Sequence, residues 1–313
     1  MIPILCVTPN PALDRTLEVA GLPIGESSRA AAVRVAAGGK GLNVARSLAT
    51  LGATPVCMGP LGGASGRKLA DLAAAEGLDG AWTWCEVETR TCVILVDTAA
   101  RRATVVNEPG PSLSAEDWSR VTGDVLARAP QAQAVCVSGS VPPGVAAEEL
   151  AALARALVAS GRPAWVDSSG PALAAALSTP GVGLKINREE ASEALGTSLP
   201  DASACAAAAR RLLERGPAAV VMTLGADGAV LAAPEGCWRA EAPPVESASA
   251  VASGDAFLAG LVHAWTNALG PKEALRRAVA AGTANALAGG GARFTREQFD
   301  SVLARVGECI SCG

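Results

Sequence analysis

From about residue 131 onward, the chain alternates short apolar runs with alanine-rich stretches of helical periodicity. The apolar runs predict strands at 134–138, 163–167, 183–187 and 219–223. The stretches between and after them predict helices at 147–160, 189–195 and 202–214. Repeated strand–helix units are typical of an α/β fold with a mostly parallel sheet. Each predicted strand ends in polar residues or glycine, and ligands of such sheets bind beyond the carboxyl ends of the strands. We therefore expect the functional site at that edge.

Two earlier segments, residues 14–35 and 85–107, have a different pattern. In both, apolar and polar residues alternate, as in the run from Thr91 to Asp97. Alternation is typical of strands with one face in water. Two such segments could pair into a small sheet that covers the site as a lid. We therefore interpret residues 1–313 as a single domain that carries a β lid.

Composition and charge exclude several classes of partner. The chain is 50% hydrophobic and 3% aromatic, so it can bury a core of small aliphatic side chains. Its net charge is −4 and no Lys/Arg run is present, which argues against nucleic acid as a partner. No uninterrupted apolar run approaches the ~20 residues of a membrane helix, so no membrane association is expected. Nine scattered cysteines, an odd number, indicate reduced thiols and a cytoplasmic protein.

The segment Ala252-Ser253-Gly254-Asp255 precedes an amphipathic helical stretch that continues to residue 269. The first turn of a helix presents backbone N–H groups without partners, and the helix dipole favours an anion beside them. Asp255 would stand next to that anion and could accept a proton from an attacking hydroxyl. On this local pattern alone, a simple helix-capping role for Asp255 is the favoured interpretation, because Gly-Asp before a helix is common.

A second glycine-rich segment, Gly38-Gly39-Lys40-Gly41, opens another predicted helix. Its spacing is not that of a Walker A loop. The glycines still permit close approach of a ligand to the backbone, and Lys40 and Asn43 would direct a positive charge and an amide toward it.

Nine segments of the chain occur in the order typical of one enzyme family. They are 8–14, 38–46, 88–91, 107–111, 138–144, 167–170, 187–190, 223–228 and 252–255. On these segments the chain resembles the PfkB branch of the ribokinase-like carbohydrate kinases, and within it the ketohexose-phosphate kinases. The resemblance implies a three-layer α/β/α fold with a mostly parallel central sheet and a small β lid. It also implies ATP-dependent phosphorylation of a sugar phosphate, and a homodimer formed through the lids.

The same resemblance assigns roles on the ATP side. Asp255 would be the catalytic base, and the N–H groups of Ala252, Ser253 and Gly254 would form an anion hole for the charge on the transferring phosphoryl group. Mg²⁺ would be held through its water shell by Asn187 and Glu190. The remaining residues expected to contact ATP are Lys185, Thr223, Gly225, Gly228 and, at the adenine pocket, Asn285.

On the acceptor side, the resemblance implies that the sugar is bound by Asp14, Gly39, Asn43 and Ser138. Lys40 and Arg90 would neutralise a phosphate that the sugar already carries, and these two cations argue for a phosphorylated substrate. The expected reaction is fructose 1-phosphate to fructose 1,6-bisphosphate. Tagatose 6-phosphate and fructose 6-phosphate, phosphorylated at the 1-hydroxyl, remain as alternatives, because the sequence does not show which end of the ketose faces Asp255.

Three residues depart from the family pattern. Ala252 replaces a glycine, which would cost ~1 kcal/mol or more if this position needs a positive φ. Ile186 replaces a proline between Lys185 and Asn187. Ser249 stands where many relatives carry an aspartate linked to a monovalent-cation site, so a potassium requirement stays open. The altered Ala252 also leaves open a catalytically weak sugar-phosphate sensor as an alternative to an active kinase.

Overall fold

The computed structural model describes residues 2–22, 25–100 and 102–312. In this part of the chain the strands are β1 Ile4–Val7, β2 Ala12–Val19, β3 Ala32–Gly38, β4 Pro55–Leu61, β5 Asp79–Trp84, β6 Arg90–Asp97, β7 Arg102–Asn107, β8 Ala134–Ser138, β9 Ala164–Asp167, β10 Gly183–Asn187, β11 Ala219–Thr223, β12 Ala229–Ala233, β13 Gly236–Ala240 and β14 Ile310–Ser311. The predicted strands of the second half coincide with β8 to β11 to within one residue.

The helices of the described residues lie between these strands. They are α1 Lys40–Thr50, α2 Gly63–Ala75, α3 Ala115–Arg128, α4 Ala147–Ala159, α5 Gly170–Ala176, α6 Arg188–Leu195, α7 Ala202–Leu213, α8 Ser253–Thr266, α9 Gly270–Leu287 and α10 Arg296–Leu303. Short 3₁₀ segments occur at Ala129–Gln131 and Gly225–Asp227. Among the described residues, none of the helices has the length and hydropathy needed to cross a bilayer.

Ten strands form one large sheet, in the order β14-β13-β12-β11-β10-β9-β8-β1-β4-β5. The seven strands from β11 to β5 pair in parallel, and β12 to β14 add an antiparallel edge. Except for the edge strand β5, which is largely exposed, the parallel strands are mostly apolar and buried, as β8 shows with five buried residues, because helices cover both faces. The predicted mostly parallel α/β fold is confirmed.

Two hydrophobic cores lie on opposite faces of this sheet. Because side chains alternate along a strand, Ile4 and Cys6 belong to one core, while Leu5 and Val7 belong to the other. The first core is completed by α1, α2, α8, α9 and α10, and the second by α3 to α7. The result is the expected three-layer α/β/α arrangement, in which α1 and α8 lie on the same face and contact each other.

A second sheet of four strands has the order β3-β2-β6-β7. Its strands come from the two segments of alternating pattern, which the sequence places at residues 14–35 and 85–107. β2 pairs in parallel with β6, and β3 and β7 pair antiparallel at the two edges. All six residues of β7 are exposed. The first residues of β2 and β6, Ala12 and Arg90, are register partners next to the end of β1, so the small sheet adjoins the carboxyl edge of the large one.

Candidate active site

The start of α8 has an unusual backbone. Ala252 caps this helix with φ 63° and ψ 10°, in the left-handed region. The condition under which Ala252 would be strained, a positive φ, is therefore met. The turn leaves the amides of Ala252, Gly254 and Asp255 without a hydrogen-bond acceptor among the described residues, whereas the amide of Ser253 donates to the carbonyl of Ala250 at 3.1 Å. Of the three amides predicted to form an anion hole, that of Ser253 thus has a backbone partner, while the amide of Asp255, which the prediction does not include, has none among the described residues.

Replacing Ala252 by glycine tests the strain at this turn. The left-handed conformation costs an L-residue about 1–2 kcal/mol, partly offset by the greater freedom of glycine in the unfolded chain. We expect Ala252→Gly to raise the free energy of unfolding by about 0.5–1 kcal/mol, measured by urea denaturation. Ala207 is exposed in the middle of α7, so the control Ala207→Gly should lose about 1 kcal/mol. A loss of stability in both variants would contradict a strained Ala252.

Asp255 lies in the first turn of α8 and its side chain is buried, with the residue 5% exposed. Asn43 of α1 donates from Nδ2 to Oδ2 of Asp255 at 2.8 Å. Burial and the nearby carboxylate of Asp167 raise the pKa of Asp255 to about 6, against the opposing effect of Lys40, Lys185 and the Asn43 hydrogen bond. A carboxylate with this pKa is ionised at neutral pH and is a stronger base than an exposed aspartate.

Asp167 at the end of β9 joins two lysines beside this base. Nζ of Lys40 lies 3.0 Å from its Oδ1, and Nζ of Lys185 lies 3.2 Å from its Oδ2. Burial alone would raise the pKa of Asp167, but the two ammonium groups outweigh burial and lower it. Lys40, which the sequence predicts to neutralise the phosphate of the sugar, is bound here to the buried carboxylate of Asp167, a residue that the sequence analysis does not include in the site. Its side chain is still 37% exposed.

Lys185, which the sequence predicts to contact ATP, lies close to the start of α8. A Cβ at Gly254 would come within 2.8 Å of Nζ of Lys185, so the ammonium group packs directly against the first turn of α8. Glycine at position 254 makes that approach possible. Backbone amides and a lysine thus face the same small volume, an arrangement suited to an anionic group.

The predicted sugar side of the cleft is built around Asp14 in β2. Gly38 of β3 lies opposite, and a Cβ there would be 2.2 Å from the carboxylate carbon of Asp14. Burial raises the pKa of Asp14 to about 6, while Arg46 and Arg90 oppose this shift. Gly39 begins α1 with φ 121°, and a Cβ there would lie 2.7 Å from a methyl group of Thr8. The two glycines therefore let α1 start in contact with β1 and the lid.

Arg90 fixes the junction between the lid and the large sheet. It donates from Nη1 to the carbonyl of Glu108 at 2.8 Å and from Nη2 to the carbonyl of Asn10 at 2.9 Å. Its Nε is buried and has no acceptor among the described residues, and the same is true of the Ser138 hydroxyl and of Oδ1 of Asn10. Buried polar atoms are normally paired. A polar ligand bound near the carboxyl ends of β1 and β8 and the start of β6 would supply partners for such atoms.

On the ATP side, Asn187 and Glu190 form a reciprocal capping box at the start of α6. Oδ1 of Asn187 accepts from the amide of Glu190 at 2.7 Å, and Oε2 of Glu190 accepts from the amide of Asn187 at 2.9 Å. Part of each side chain is therefore used in holding the helix. The other carboxylate oxygen of Glu190 and the amide nitrogen of Asn187 are not engaged in this box. Burial opposes a rise in the pKa of Lys40, but Asp167, Asp255 and, to a smaller extent, this carboxylate raise it.

The donor chemistry of this pair fits a hard cation bound through water. No cluster of three or more His, Cys, Asp or Glu side chains able to hold a metal occurs among the residues that the structure describes. Mg²⁺ is usually bound by one or two carboxylates, several waters and substrate phosphates rather than by a complete protein cage. Glu190 with Asn187 therefore fits Mg²⁺ that arrives with a nucleotide.

The predicted nucleotide turn follows β11, next to Asn187. Thr223 is the register partner of Asn187, and its hydroxyl lies 3.4 Å from the carbonyl of Ile186. Gly225 and Gly228 have φ of 63° and 93°. A Cβ at Gly228 would lie 2.0 Å from the carbonyl of Ala240, so only glycine permits this close return of the chain.

Asn285 of α9 has a different environment from the predicted one. It is fully buried. Its Nδ2 donates to the carbonyl of Val251 and to Oγ of Ser253, both at 2.9 Å, and its Oδ1 accepts from the amide of Ala292 at 2.9 Å. The side-chain amide of Asn285 thus bonds protein groups and holds the turn before α8. If Asn285 influences the binding of adenine, it would do so by positioning that turn.

Comparisons with known proteins agree with this geometry. The sequence model of the family described as pfkB family carbohydrate kinase matches residues 10–297. The 1-phosphofructokinase of Rhodobacter capsulatus is 38% identical over 88% of each chain, and the ATP-dependent 6-phosphofructokinase isozyme 2 of Escherichia coli is 34% identical over 92% of this chain and 93% of the other. The crystal structure of Escherichia coli phosphofructokinase-2 in complex with potassium superposes with a TM-score of 0.92 at 30% identity, covering 97% of this chain and 99% of that one.

Proposed function

Because the chain belongs to the pfkB family of carbohydrate kinases, we propose that it transfers the γ-phosphoryl group of ATP to fructose 1-phosphate, giving fructose 1,6-bisphosphate and ADP. The observation that carries the proposal is the start of α8, where a buried carboxylate with a raised pKa, three amides without acceptors and a buried lysine converge. Phosphoryl transfer needs positioning and charge stabilisation of this kind, with little covalent chemistry from the protein.

Asp255 is the base of the proposed reaction. Its carboxylate accepts the proton of the 6-hydroxyl while the hydroxyl oxygen attacks the γ-phosphorus, and the bond from phosphorus to the β–γ bridging oxygen breaks. The amides of Ala252, Gly254 and Asp255 donate to the equatorial oxygens, and Lys185 adds a positive charge beside Gly254. These donors are arranged before the reaction, so their stabilisation of the transferring group requires no reorganisation.

On the nucleotide side, ATP phosphates would lie between Lys185, Lys40 and the turn that contains Gly225 and Gly228. Asp167 orients both lysines, since each bonds a different oxygen of the same carboxylate. Mg²⁺, held by Glu190 and Asn187 through water, would supply further neutralisation of the phosphate charge when bound. The potassium complex of the Escherichia coli enzyme makes a monovalent cation compatible with this proposal, although Ser249 supplies no charge for it.

On the sugar side, Asp14 and Asn43 would bind hydroxyl groups, and the buried hydroxyl of Ser138 would gain a partner. Arg90 would receive the phosphate that the sugar already carries. Its guanidinium is held on two carbonyls and its charge acts on Asp14, so it is a preorganised cation next to the sugar site. This charge favours a sugar phosphate over a free sugar.

The acceptor is tested by measuring ADP release with fructose 1-phosphate, fructose 6-phosphate, tagatose 6-phosphate and unphosphorylated fructose. We expect fructose 1-phosphate to give the highest kcat/KM, and fructose to be poorer by at least about 10²-fold because Arg90 then has no anion to bind. The 38% identical relative is named for the first of these substrates. Turnover with only fructose 6-phosphate or tagatose 6-phosphate would show that the 1-hydroxyl, rather than the 6-hydroxyl, is phosphorylated. Turnover with only unphosphorylated fructose would refute a sugar phosphate as the substrate.

The lid also supports a proposal on assembly. The edge strand β7 is wholly exposed, and Val33 of β3 and Val105 and Val106 of β7 are 49%, 45% and 55% exposed. An exposed apolar edge pairs readily with another strand. We propose a homodimer in which the lid sheets of two chains meet, in the cytoplasm, where the nine free cysteines would stay reduced.

A further inference from the structure

A line of hydrogen bonds leads outward from the proposed base. Asn43 donates from Nδ2 to Asp255 at 2.8 Å, and its Oδ1 accepts from Nη1 of Arg46 at 2.8 Å. Asn43 and Arg46 are three residues apart on α1, so they share one face of the helix. A carboxylate can only accept and an arginine can only donate. The two partners therefore permit one orientation of the Asn43 amide, with its nitrogen toward Asp255.

Arg46 itself is held firmly. It is 9% exposed, and it donates from Nη2 to the carbonyl of Ala37 at 2.9 Å and from Nε to Oε2 of Glu76 at 2.5 Å. The other oxygen of Glu76 accepts from Arg293 at 2.9 Å. Each nitrogen of the guanidinium thus has its own acceptor. The acceptors are the carbonyl of Ala37 in β3, the amide oxygen of Asn43 in α1 and the carboxylate of Glu76, the residue that follows α2. The planar group cannot turn away from Asn43 without losing these bonds.

We propose that Arg46 is a positioning residue for the catalytic base, acting through the amide of Asn43. With Arg46 in place, Nδ2 of Asn43 donates a hydrogen bond to Oδ2 of Asp255. Oδ1 of Asp255 is then left to accept the proton of the sugar hydroxyl. Without Arg46, only the carboxylate of Asp255 holds the amide in this orientation, so the nitrogen is less firmly fixed at Oδ2. This inference rests on the proposed role of Asp255 and adds a residue that reaches neither the sugar nor ATP.

The effect of Arg46 on Asp255 is transmitted by the amide rather than by charge. The charged groups that face Asp255 are Asp167, Lys40 and Lys185. Those that face Arg46 are Glu76 and Asp14. Since the Asn43 hydrogen bond lowers the pKa of Asp255, loss of the fixed amide should raise it. A residue that only stabilised the fold would leave that pKa unchanged.

The test combines a substrate-free titration with a double-mutant cycle. The pKa of Asp255 is followed by NMR of [¹³C]aspartate-labelled protein, with the signal assigned from Asp255→Asn, in the wild type, Arg46→Met, Asn43→Ala and the double variant. We expect an upward shift in Arg46→Met and no further shift when Arg46→Met is added to Asn43→Ala. In the kinase assay, Arg46→Met should lower kcat about tenfold, which corresponds to the free energy of one hydrogen bond. In the Asn43→Ala background, the same substitution should lower kcat less than twofold.

Equal effects of Arg46→Met in both backgrounds, or an unmoved Asp255 titration, would overturn the proposal. The titration needs no sugar, so it decides the role of Arg46 even if the proposed substrate is wrong. Arg46→Lys repeats the test should the methionine variant not fold, because lysine keeps the charge but cannot donate to three acceptors at once. Arg293→Gln is the matched control: it removes the other cation on Glu76 without touching Asn43, and both kcat and the Asp255 pKa should remain those of the wild type.

Discussion

Replacing Asp255 by asparagine should lower kcat by at least about 10²-fold, because the variant cannot take the proton from the attacking hydroxyl. The fold should persist. Burial raises the pKa of Asp255 to about 6, above the value of about 4 for an exposed aspartate, so the ionised side chain destabilises the native state as pH rises through this interval. Asparagine removes that cost, and its oxygen can still accept from Asn43. The thermal midpoint at pH 7 should therefore be equal to or above that of the wild type.

The pH dependence gives the same residue a second signature. The base must be ionised, so kcat/KM of the wild type should fall as pH drops through about 6. The residual kcat of Asp255→Asn should lack this acid limb, and a limb that remains in kcat/KM is assigned to Asp14, whose pKa burial also raises to about 6. Measurements of initial rates from pH 5 to 8 with saturating ATP would show both profiles. Wild-type turnover in the variant would exclude the role as base and would favour the sugar-phosphate sensor.

Replacing Asp167 by asparagine should cost about 3–5 kcal/mol of unfolding free energy, the loss typical when one partner of a buried ion pair is removed. Lys185 has a side chain 5% exposed and Asp167 is its acidic partner, so the variant leaves a buried ammonium group without its counter-charge. Because the folded-state pKa of Asp167 is lowered, the stabilisation is present above the unfolded-state pKa, near 4, and is lost as pH falls through the lower folded value. Urea denaturation at pH 7 measures the difference.

A surface pair provides the control for Asp167. Asp300 bonds Arg296 one turn away on α10, and their side chains are 54% and 53% exposed, so Asp300→Asn should cost less than about 0.5 kcal/mol. Asp167→Asn should also move the acid limb of kcat/KM to lower pH, since Asp167 is one of the groups that raise the pKa of Asp255. An unfolding free energy within 1 kcal/mol of the wild type would contradict the buried triad.

Much of the fold could be predicted from local pattern. β8 to β11 and the helices α4, α6 and α7 follow from apolar runs and helical periodicity, whereas α5, between β9 and β10, is not among the predicted helices. The alternation of apolar and polar residues in the two earlier segments predicts the strands of a small separate sheet. Because Ala252 replaces a glycine of the family pattern, the sequence raises strain at this position as a condition, and the structure meets that condition. These features depend on residues that are close in sequence, and a local sequence pattern contains information about such residues.

Two residues of the site were not predicted. Asp167 belongs to one of the matching segments but not to the predicted site, although its place at the end of a buried strand is a signal that it lies at the ligand-binding edge. Arg46 belongs to the matching segment 38–46, and its apolar neighbours give no sign that it is buried. In both cases the role depends on partners that a local window does not contain.

The sequence by itself determined the α/β architecture, the family, and the residue types that carry the chemistry. The tertiary structure alone decided which of them meet: Lys40 and Asp167 are 127 positions apart, and Asn43 and Asp255 are 212 apart. It also decided that Asn285 holds a turn and that Ser253 has a backbone partner. The physical reason is that parallel strands bring residues from distant parts of the chain to one edge, where burial sets their charges and hydrogen bonds, and neither burial nor pairing over such separations is contained in local periodicity.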